Sequence, residues 1–311
     1  VRVAGTLLGA QTSRFEQLDP LLPPAAAPPD GHVLTAALSA GDRVAGVLTH
    51  SEFEPGTATT LWSALDLWEL HPLIGAAGGT GMDVLLREWA RLSERTTTTP
   101  DSACLVTWPS RDAPSAQPLL THGFVPLTCL AVRPVRAGGP IRRAPQAGVT
   151  IRPATPADAA TVLGLELAEL AYSSLVGAAM LRPDAERIKR ATIARHLDQG
   201  DPMWLAERDG VAVGLAHCRL MDVVADSLIA TRLRPGRWGY VNCVSVADDA
   251  RGSGVGSELM AVAHHELHRR GATGTFLYFN PPNPLASVFW ARQGYRPLWT
   301  SWELRPASGL R

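Results

Sequence analysis

Apolar and polar positions follow two different periods in the second half of this chain. Residues 203–220, MWLAERDG followed by VAVGLAHCRL, alternate around an Asp-Gly pair, which predicts a β-hairpin. Residues 239–246, GYVNCVSV, continue the two-residue period, so Tyr240, Asn242, Val244 and Val246 are expected on one face of a strand. The period then lengthens. In SELMAVAHHELHRRG, Leu259, Met260, Ala263 and Leu267 recur at helical spacing, and Arg269, Arg270 and Gly271 supply a basic last turn and a stop. Residues 156–172, 181–200 and 283–294 also read as helices; TIRPAT (150–155), TFLYF (275–279), YRPLW and SWELRP read as strands. The order is β-α-α-β-β-β-α-β-α-β, a mixed sheet with helices on both sides.

The first half is a poorer copy of this pattern, with HVLTAALS, RVAGVLTH and TTLWSALDLWEL as strands. GYRPLWTSWELRP at 294–306 echoes GFVPLTCLAVRP at 123–134, and a glycine cluster opening a helix precedes each, GSGVGSELM at 252–260 and GGTGMDVLL at 78–86. The distance from cluster to echo is 40 residues in one half (Gly254 to Gly294) and 44 in the other (Gly79 to Gly123). Two matches in the same order point to a duplication. The expected division is a first domain at 1–136, a Gly/Pro/Arg-rich linker at 137–149 and a second domain at 150–311.

The chain has 311 residues, 46% hydrophobic, and 29 basic residues balance 29 acidic ones. With no net charge, no global field recruits nucleic acid or an anionic membrane. No apolar run reaches membrane-spanning length and the opening VRVAGTLLGA is too short and weakly charged for an export signal, so a cytoplasmic protein is expected. Lys189 is the one lysine, which fits codon bias and by itself says nothing about a site. Cys104, Cys129, Cys218 and Cys243 lie far apart in strand-like runs without ligand spacing, and HHELH (264–268) lacks the gap of a zinc box. His264 and His268 are expected on a solvated helix face, and no metal is expected.

Chemistry concentrates in DDARGSGVGSELM (248–260), where an arginine and three glycines run into a helix start. Glycine lets a ligand approach the backbone, and a helix N-terminus offers unpaired N–H groups and partial positive charge, which suit a phosphate. A Walker loop needs a Lys that is absent, and a dinucleotide fingerprint would put Ser257 where its third glycine belongs, after the wrong strand. Arg251, Gly254 and Gly256 instead spell Arg-x-x-Gly-x-Gly. Together with the strand before it and NPLASVFWARQGYRPL after it, this resembles the acyl-CoA loop of the GCN5-related N-acetyltransferase (GNAT) family. The resemblance covers nearly the whole second half and is weak in the first.

That resemblance implies an α/β (α+β) fold of two tandem GNAT-like domains, each a mixed, mostly antiparallel sheet flanked by helices. It implies acetyl-CoA, or another acyl-CoA, as co-substrate. Backbone amides of Gly252, Ser253, Gly254, Val255, Gly256 and Ser257 would hold its pyrophosphate, with Arg251 adding charge. Val244, Ser245 and Val246 would pair with the pantetheine arm, the N–H of Val244 polarising the thioester carbonyl. Asn283 matches a polar contact to the pantetheine, though it also suits a helix cap. Trp290 stands seven residues on, where many members carry a tyrosine that protonates the departing thiolate; core packing is its expected main role. Ser287, one turn earlier, and more weakly Tyr278 are the other donors near the sulfur. Tyr240 occupies a position where the family often has a carboxylate; with Asn242 it would orient the acceptor or a water, since a phenol is a poor base near neutral pH. Asp222 and Asp226 are expected to be solvated loop acids.

In the first half Gly78, Gly79, Thr80 and Gly81 could hold a pyrophosphate, but Ala or Gly replaces the arginine and Asp112 stands where the second half has Asn283. The expectation there is an empty site or a held, unreactive acyl-CoA. Two readings of the whole remain: an N-acyltransferase acting on a small-molecule amine in a ternary complex, as monomer or homodimer, or a catalytically silent CoA-binding regulatory or scaffold protein. The acceptor would sit near Tyr172 to Ser174, residues 221–238 and the last strands.

Overall fold

The Asp-Gly pair turns the chain as its spacing predicts. Asp209 and Gly210 both have positive φ (52° and 77°), the two-residue geometry that matches strand twist. The computed structural model describes residues 2–39, 41–93, 99–134 and 148–310; of the expected linker, 137–147 lies outside them. In the first half α1 (Arg2–Leu18) precedes β1 (His32–Ala37), β2 (Arg43–Glu52), β3 (Asp66–Leu73), α2 (Gly78–Ser93), β4 (Ser102–Pro109), α3 (Ala113–Thr121) and β5 (Val125–Pro134). The second half runs β6 (Val149–Pro153), α4 (Ala159–Leu175), α5 (Ala185–Asp198), β7 (Met203–Arg208), β8 (Val211–Val223), β9 (Gly236–Val246), α6 (Val255–Arg269), β10 (Gly274–Phe279), α7 (Pro284–Arg292) and β11 (Arg296–Leu304).

Two expectations are corrected. YRPLW and SWELRP form one strand, β11, which absorbs its irregularities as register shifts at Pro297/Trp299 and Ser301/Trp302 rather than breaking. In TTLWSALDLWEL only the end is strand: Ala58–Leu61 is a 3₁₀ turn, and β3 begins at Asp66.

All strands join one eleven-stranded sheet in the order β1-β2-β3-β4-β11-β5-β10-β9-β8-β7-β6. Its pairs are antiparallel except β3 with β4 and β9 with β10. The closing strands are exchanged. β5, from the first half, pairs with β10 of the second, and β11 pairs with β4 of the first. Each half's sheet is thus completed by the other half.

β7 is buried on both faces from Met203 to Ala206, which is why it reads as a continuous apolar run. Met203 and Leu205 pack with Val162 and Leu163 of α4 and Ile193 of α5. Trp204 and Ala206 face the other way, onto Leu259, Met260 and Ala263 of α6. That sandwich fixes α6, and with it the glycine loop, against β9. Among the described residues no helix is long and apolar enough to cross a membrane.

Candidate acyl-CoA and acceptor site

β9 is paired along its whole length on one side only. Its partner β8 runs beside it from Val223↔Gly236 to Gly214↔Val246. Its parallel pairing with β10 starts at Trp238↔Gly274 and stops at Val241↔Leu277, while β10 continues to Phe279 on β5. Residues 242–246 therefore present an open strand edge in the middle of the sheet, a place where an extended, amide-bearing chain can pair. The same point carries a bulge: Val241 faces Cys218 and Cys243 faces His217, leaving Asn242 without an opposite residue. The extra residue reverses the alternation. Tyr240 stacks on Phe276 at 4.8 Å, with Tyr278 at its edge, whereas Val244 and Val246 pack on the α6 side. The expectation that Tyr240, Asn242, Val244 and Val246 share one face is thus corrected.

From Val246 the chain enters the glycine loop. Gly252 and Gly254 have φ of +77° and +100°, left-handed conformations that glycine adopts without strain. Gly254 caps α6, whose first turn includes Glu258. The amides of Ser253, Ser257 and Glu258 are satisfied within the loop, by the carbonyls of Ala250 and Gly254. Among the described residues those of Gly252, Gly254, Val255 and Gly256 have no acceptor in the protein. They form an anion-binding helix start. Arg251 is fixed beside it: Nε donates to the Val246 carbonyl at 3.2 Å, the guanidinium pairs with Asp248 at 2.8 Å and lies 5.1 Å over the Tyr172 ring. The Ser253 side chain turns away, donating to Ala250 O and accepting from Arg208.

The α7 segment closes the other wall. Asn283 caps α7 through Oδ1, which accepts from the amides of Leu285 and Ala286 at 3.1 and 3.2 Å; its side-chain N–H₂ remains available as a donor beside the cavity. Trp290 contacts Phe289 and Tyr295 and packs on the α6 core while lining the cavity. Ser287 does not line it, and its hydroxyl leans on the Pro281 carbonyl at 3.5 Å, a correction to its expected reach toward the sulfur. Asp222 and Asp226 are exposed and outside the cavity, as expected, but Asp222 belongs to β8, opposite Arg237 of β9, rather than to a loop. His264 is a further correction. It is buried, hydrogen-bonded to the Tyr295 hydroxyl at 2.9 Å, and burial pushes its pKa down to about 3; His268 is exposed.

The loop and the open edge face one cavity of about 1430 Å³, which continues past Tyr240 and Tyr278 between α4, α5 and the first half. Sequence reasoning missed what lies there. Glu166 accepts from Lys189 Nζ at 3.0 Å and is 2.7 Å from His217 Nδ1, whose Nε2 is 3.2 Å from His196 Nδ1. Burial alone would raise the Glu166 carboxyl, but His217 and Lys189 outweigh it and hold it down to about 2. Burial, with His217 adjacent, lowers His196 to about 4. Lys189 also lies 5.4 Å over the ring of Trp62, from the first half. Glu169, one turn from Glu166, accepts from Ser173 at 2.6 Å, and burial pushes its pKa up. Burial likewise raises Tyr240, which weakens it further as a base. Ligand atoms of His196, Asp201 and His217 come within 4.8 Å of one another, but the histidines bond each other and Asp201 pairs with Arg219 at 3.0 Å. The available signal was faint: a glutamate pair at i, i+3 inside an apolar helix, and the chain's one lysine.

In the first half β3 also stops pairing with β4 early, at Leu70↔Val106. Here α1 lies along the open edge. Gln11 Nε2 donates to the Pro72 carbonyl at 3.0 Å, and Gln11 Oε1 accepts from the amides of Ile74 and Gly75 at 3.0 and 3.4 Å. Arg14 lies against Gly78 and binds Asp112, the cap of α3, with Nε 2.9 Å from Oδ2. Gly79 abuts the Pro114 carbonyl, Gly81 packs on Ile74 and Ala77, and Thr80 is exposed.

Residues 166–295 match the acetyltransferase (GNAT) family. A GCN5-related N-acetyltransferase from Sphaerobacter thermophilus has the same fold, with a TM-score of 0.59 at 14% identity over 98% of this chain and 93% of that one. Two smaller structures align with 48% of the chain. One is a predicted acetyltransferase with acetyl-CoA from Clostridium acetobutylicum (15% identity, 90% of its length, TM-score 0.40). The other is an aminoglycoside N-acetyltransferase in complex with CoA (15% identity, 89% of its length, TM-score 0.39). No curated protein sequence matches the chain.

Proposed function

Taking as premise that residues 166–295 carry an acetyltransferase domain of the GNAT family, we propose that this domain transfers an acetyl or other short acyl group from acyl-CoA to a small-molecule amine. The observation that carries the reading is a continuous path: the open edge of β9 at 242–246 leads directly into the free amides of Gly252, Gly254, Val255 and Gly256. A pantetheine arm pairs like a strand and a pyrophosphate needs several N–H donors, so the two features fit the two parts of one molecule. Arg251 adds a charge-assisted contact and the Asn283 side-chain N–H₂ a donor to the arm. The N–H of Val244 polarises the thioester carbonyl as negative charge develops on its oxygen. The amine reaches the carbonyl from the side of Tyr240 and α4, attacks directly, and leaves as the amide.

The domains are read as 1–136 and 150–311 with a linker between them. Their exchanged closing strands make them one folding unit. The first half serves as scaffold and carries no turnover of its own. The chain is read as a cytoplasmic monomer or homodimer without nucleic-acid or membrane partners.

Calorimetry with acetyl-CoA, followed by thiol release with an amine panel, tests the proposal. Binding with amine-dependent release supports the transferase. Binding without release under any amine supports the silent CoA-binding alternative.

A further inference from the structure

Three carboxylates stand at the end of the cavity walled by α4, α5, β11 and the first half, and they differ in what balances them. Glu166 is held by Lys189 and His217, and Glu303 by Arg305. Glu169 has the Ser173 hydroxyl and, among the described residues, no cation within ion-pair distance. Lys189, paired with Glu166, acts on it only through space, so this part-buried carboxylate with one neutral donor in contact is incompletely balanced until a second cation arrives. Burial raises its pKa, which makes it a better proton acceptor than the ion-paired Glu166. The first half supplies a mainly apolar wall, in which Phe53, Leu61, Trp62 and Leu67 outnumber the hydroxyls of Thr59 and Ser63. Trp62 leaves 43% of its surface exposed, although Lys189 Nζ lies 5.4 Å over its ring.

We propose that the acyl acceptor is a primary monoamine with an apolar body of about aromatic size, its ammonium against Glu169 and its body against Trp62. This rests on the acyltransferase reading of the same cavity. A second ammonium on the acceptor would find Glu166 and Glu303 already taken by Lys189 and Arg305, and a polyol would leave its hydroxyls facing an apolar wall. In the reaction the ammonium gives one proton to the Glu169 carboxylate. The free amine forms the N–C bond at the thioester carbonyl, and the C–S bond breaks with its electron pair on sulfur. The second nitrogen proton goes to the thiolate, and Glu169 returns its own to solvent. The first half is thereby part of the acceptor site, although its own cofactor groove is filled.

The test uses the full chain, with acetyl-CoA affinity measured by calorimetry and thiol release followed for 2-phenylethylamine, ethanolamine and spermidine. The expected result is a kcat/KM for 2-phenylethylamine at least about tenfold above the other two, the scale on which apolar pocket contacts discriminate. Glu169→Gln should lower it by about 10²-fold with acetyl-CoA affinity unchanged, Glu169→Asp should recover part of the loss, and Trp62→Ala should raise KM with kcat kept. Preference for spermidine or ethanolamine, or full activity in Glu169→Gln, overturns the proposal and leaves the transferase standing. Tight acetyl-CoA binding with no release for any of the three overturns this acceptor class. Failure to bind acetyl-CoA at all overturns the transferase reading and this proposal with it.

Discussion

The chain builds a glycine-opened helix beside an open strand edge twice, and uses it in two ways. At α6 the loop leaves room at Gly252, where an added Cβ would meet nothing within 4 Å, while Gly256 packs on Phe289. At α2 the glycines let protein approach protein: a Cβ at Gly79 would sit 2.3 Å from the Pro114 carbonyl. The edges differ likewise. Beside β3, the carboxamide of Gln11 donates to one backbone carbonyl and accepts from two amides, the pattern a pairing strand would supply. Beside β9, among the described residues, no strand makes those bonds beyond Val241. A glycine cluster before a helix thus marks close approach, and only the surroundings decide whether the approaching group is ligand or chain.

The most damaging way to break this contrast is to put a side chain on each loop. Gly254→Val, at φ +100°, should abolish acetyl-CoA binding in calorimetry and reduce the expected stoichiometry from one per chain to none. Gly79→Ala should leave binding intact and lower stability by about 1–3 kcal/mol in urea titration, the cost of overpacking. Residual binding of one equivalent in the Gly254 variant would place the cofactor in the first half and reverse the comparison.

Next come the polar groups that close one groove. Asp112 is fully buried, and its carboxylate depends on Arg14, Trp108 and Ser115. Arg14→Ala strands that charge and should cost about 3–5 kcal/mol in stability, with acetyl-CoA affinity unchanged. Asn283→Ala, at the matching cap of α7, should cost only about 1 kcal/mol in stability while weakening acetyl-CoA. Arg251→Ala acts on the other side: affinity falls by about 1.5–3 kcal/mol, measured by calorimetry, with a small change in stability because the side chain is half exposed. Equal effects of Arg14→Ala and Arg251→Ala on affinity would erase the distinction between the grooves.

The helices also differ beneath the loops. α2 buries Trp89 in its core, while α6 buries His264. The folded pKa of His264 is about 3 against an unfolded value near 6.5, so between those values the unfolded chain binds more protons. Its contribution to stability is present above pH 6.5 and is lost as pH falls toward 3. The urea midpoint should therefore drop across that window, and His264→Phe should make the slope shallower by up to about 1.4 kcal/mol per pH unit. An unchanged slope would mean that His264 charges freely in the folded state.

What the sequence disclosed and what it hid divide by range. The Asp209-Gly210 hairpin, the stop at Gly271 and the Arg251 to Gly256 loop are local, set by φ preferences and helix-end chemistry, and they stand where their residues place them. The bulge at Asn242 is one residue of register, invisible to a two-residue period, and it alone moved Val244 and Val246 to the face opposite Tyr240. The exchange of β5 and β11, the filling of the β3 edge by Gln11 and the linking of Glu166, Lys189, His217 and His196 join residues tens to hundreds of positions apart. Periodicity carries no record of such pairings. His264 was misplaced for the same reason, since its partner Tyr295 lies on another element.

The finest test of the comparison concerns the seventh residue after each cap. After Asp112 it is Leu119, fully buried and purely structural. After Asn283 it is Trp290, which packs on Phe289 and Tyr295 but also meets the cavity. An indole N–H donates a hydrogen bond and cannot give up its proton near neutral pH, so Trp290 supplies no acid to the departing thiolate. With Ser287 turned onto Pro281, the donor left among the groups expected from the sequence is Tyr278, whose pKa burial raises, so it would be a poor acid toward a departing thiolate. A thiolate with a pKa near 8.5 leaves tolerably without one. Turnover should therefore be modest, lacking the roughly 10²–10⁴-fold that a positioned acid contributes. Trp290→Tyr trades part of the indole's packing for a phenol on the same helix. It should raise kcat or leave it unchanged, with acetyl-CoA affinity retained. A large fall in kcat in a stably folded Trp290→Tyr chain would show that the indole positions the thioester, and that α7 differs from α3 in chemistry as well as in packing.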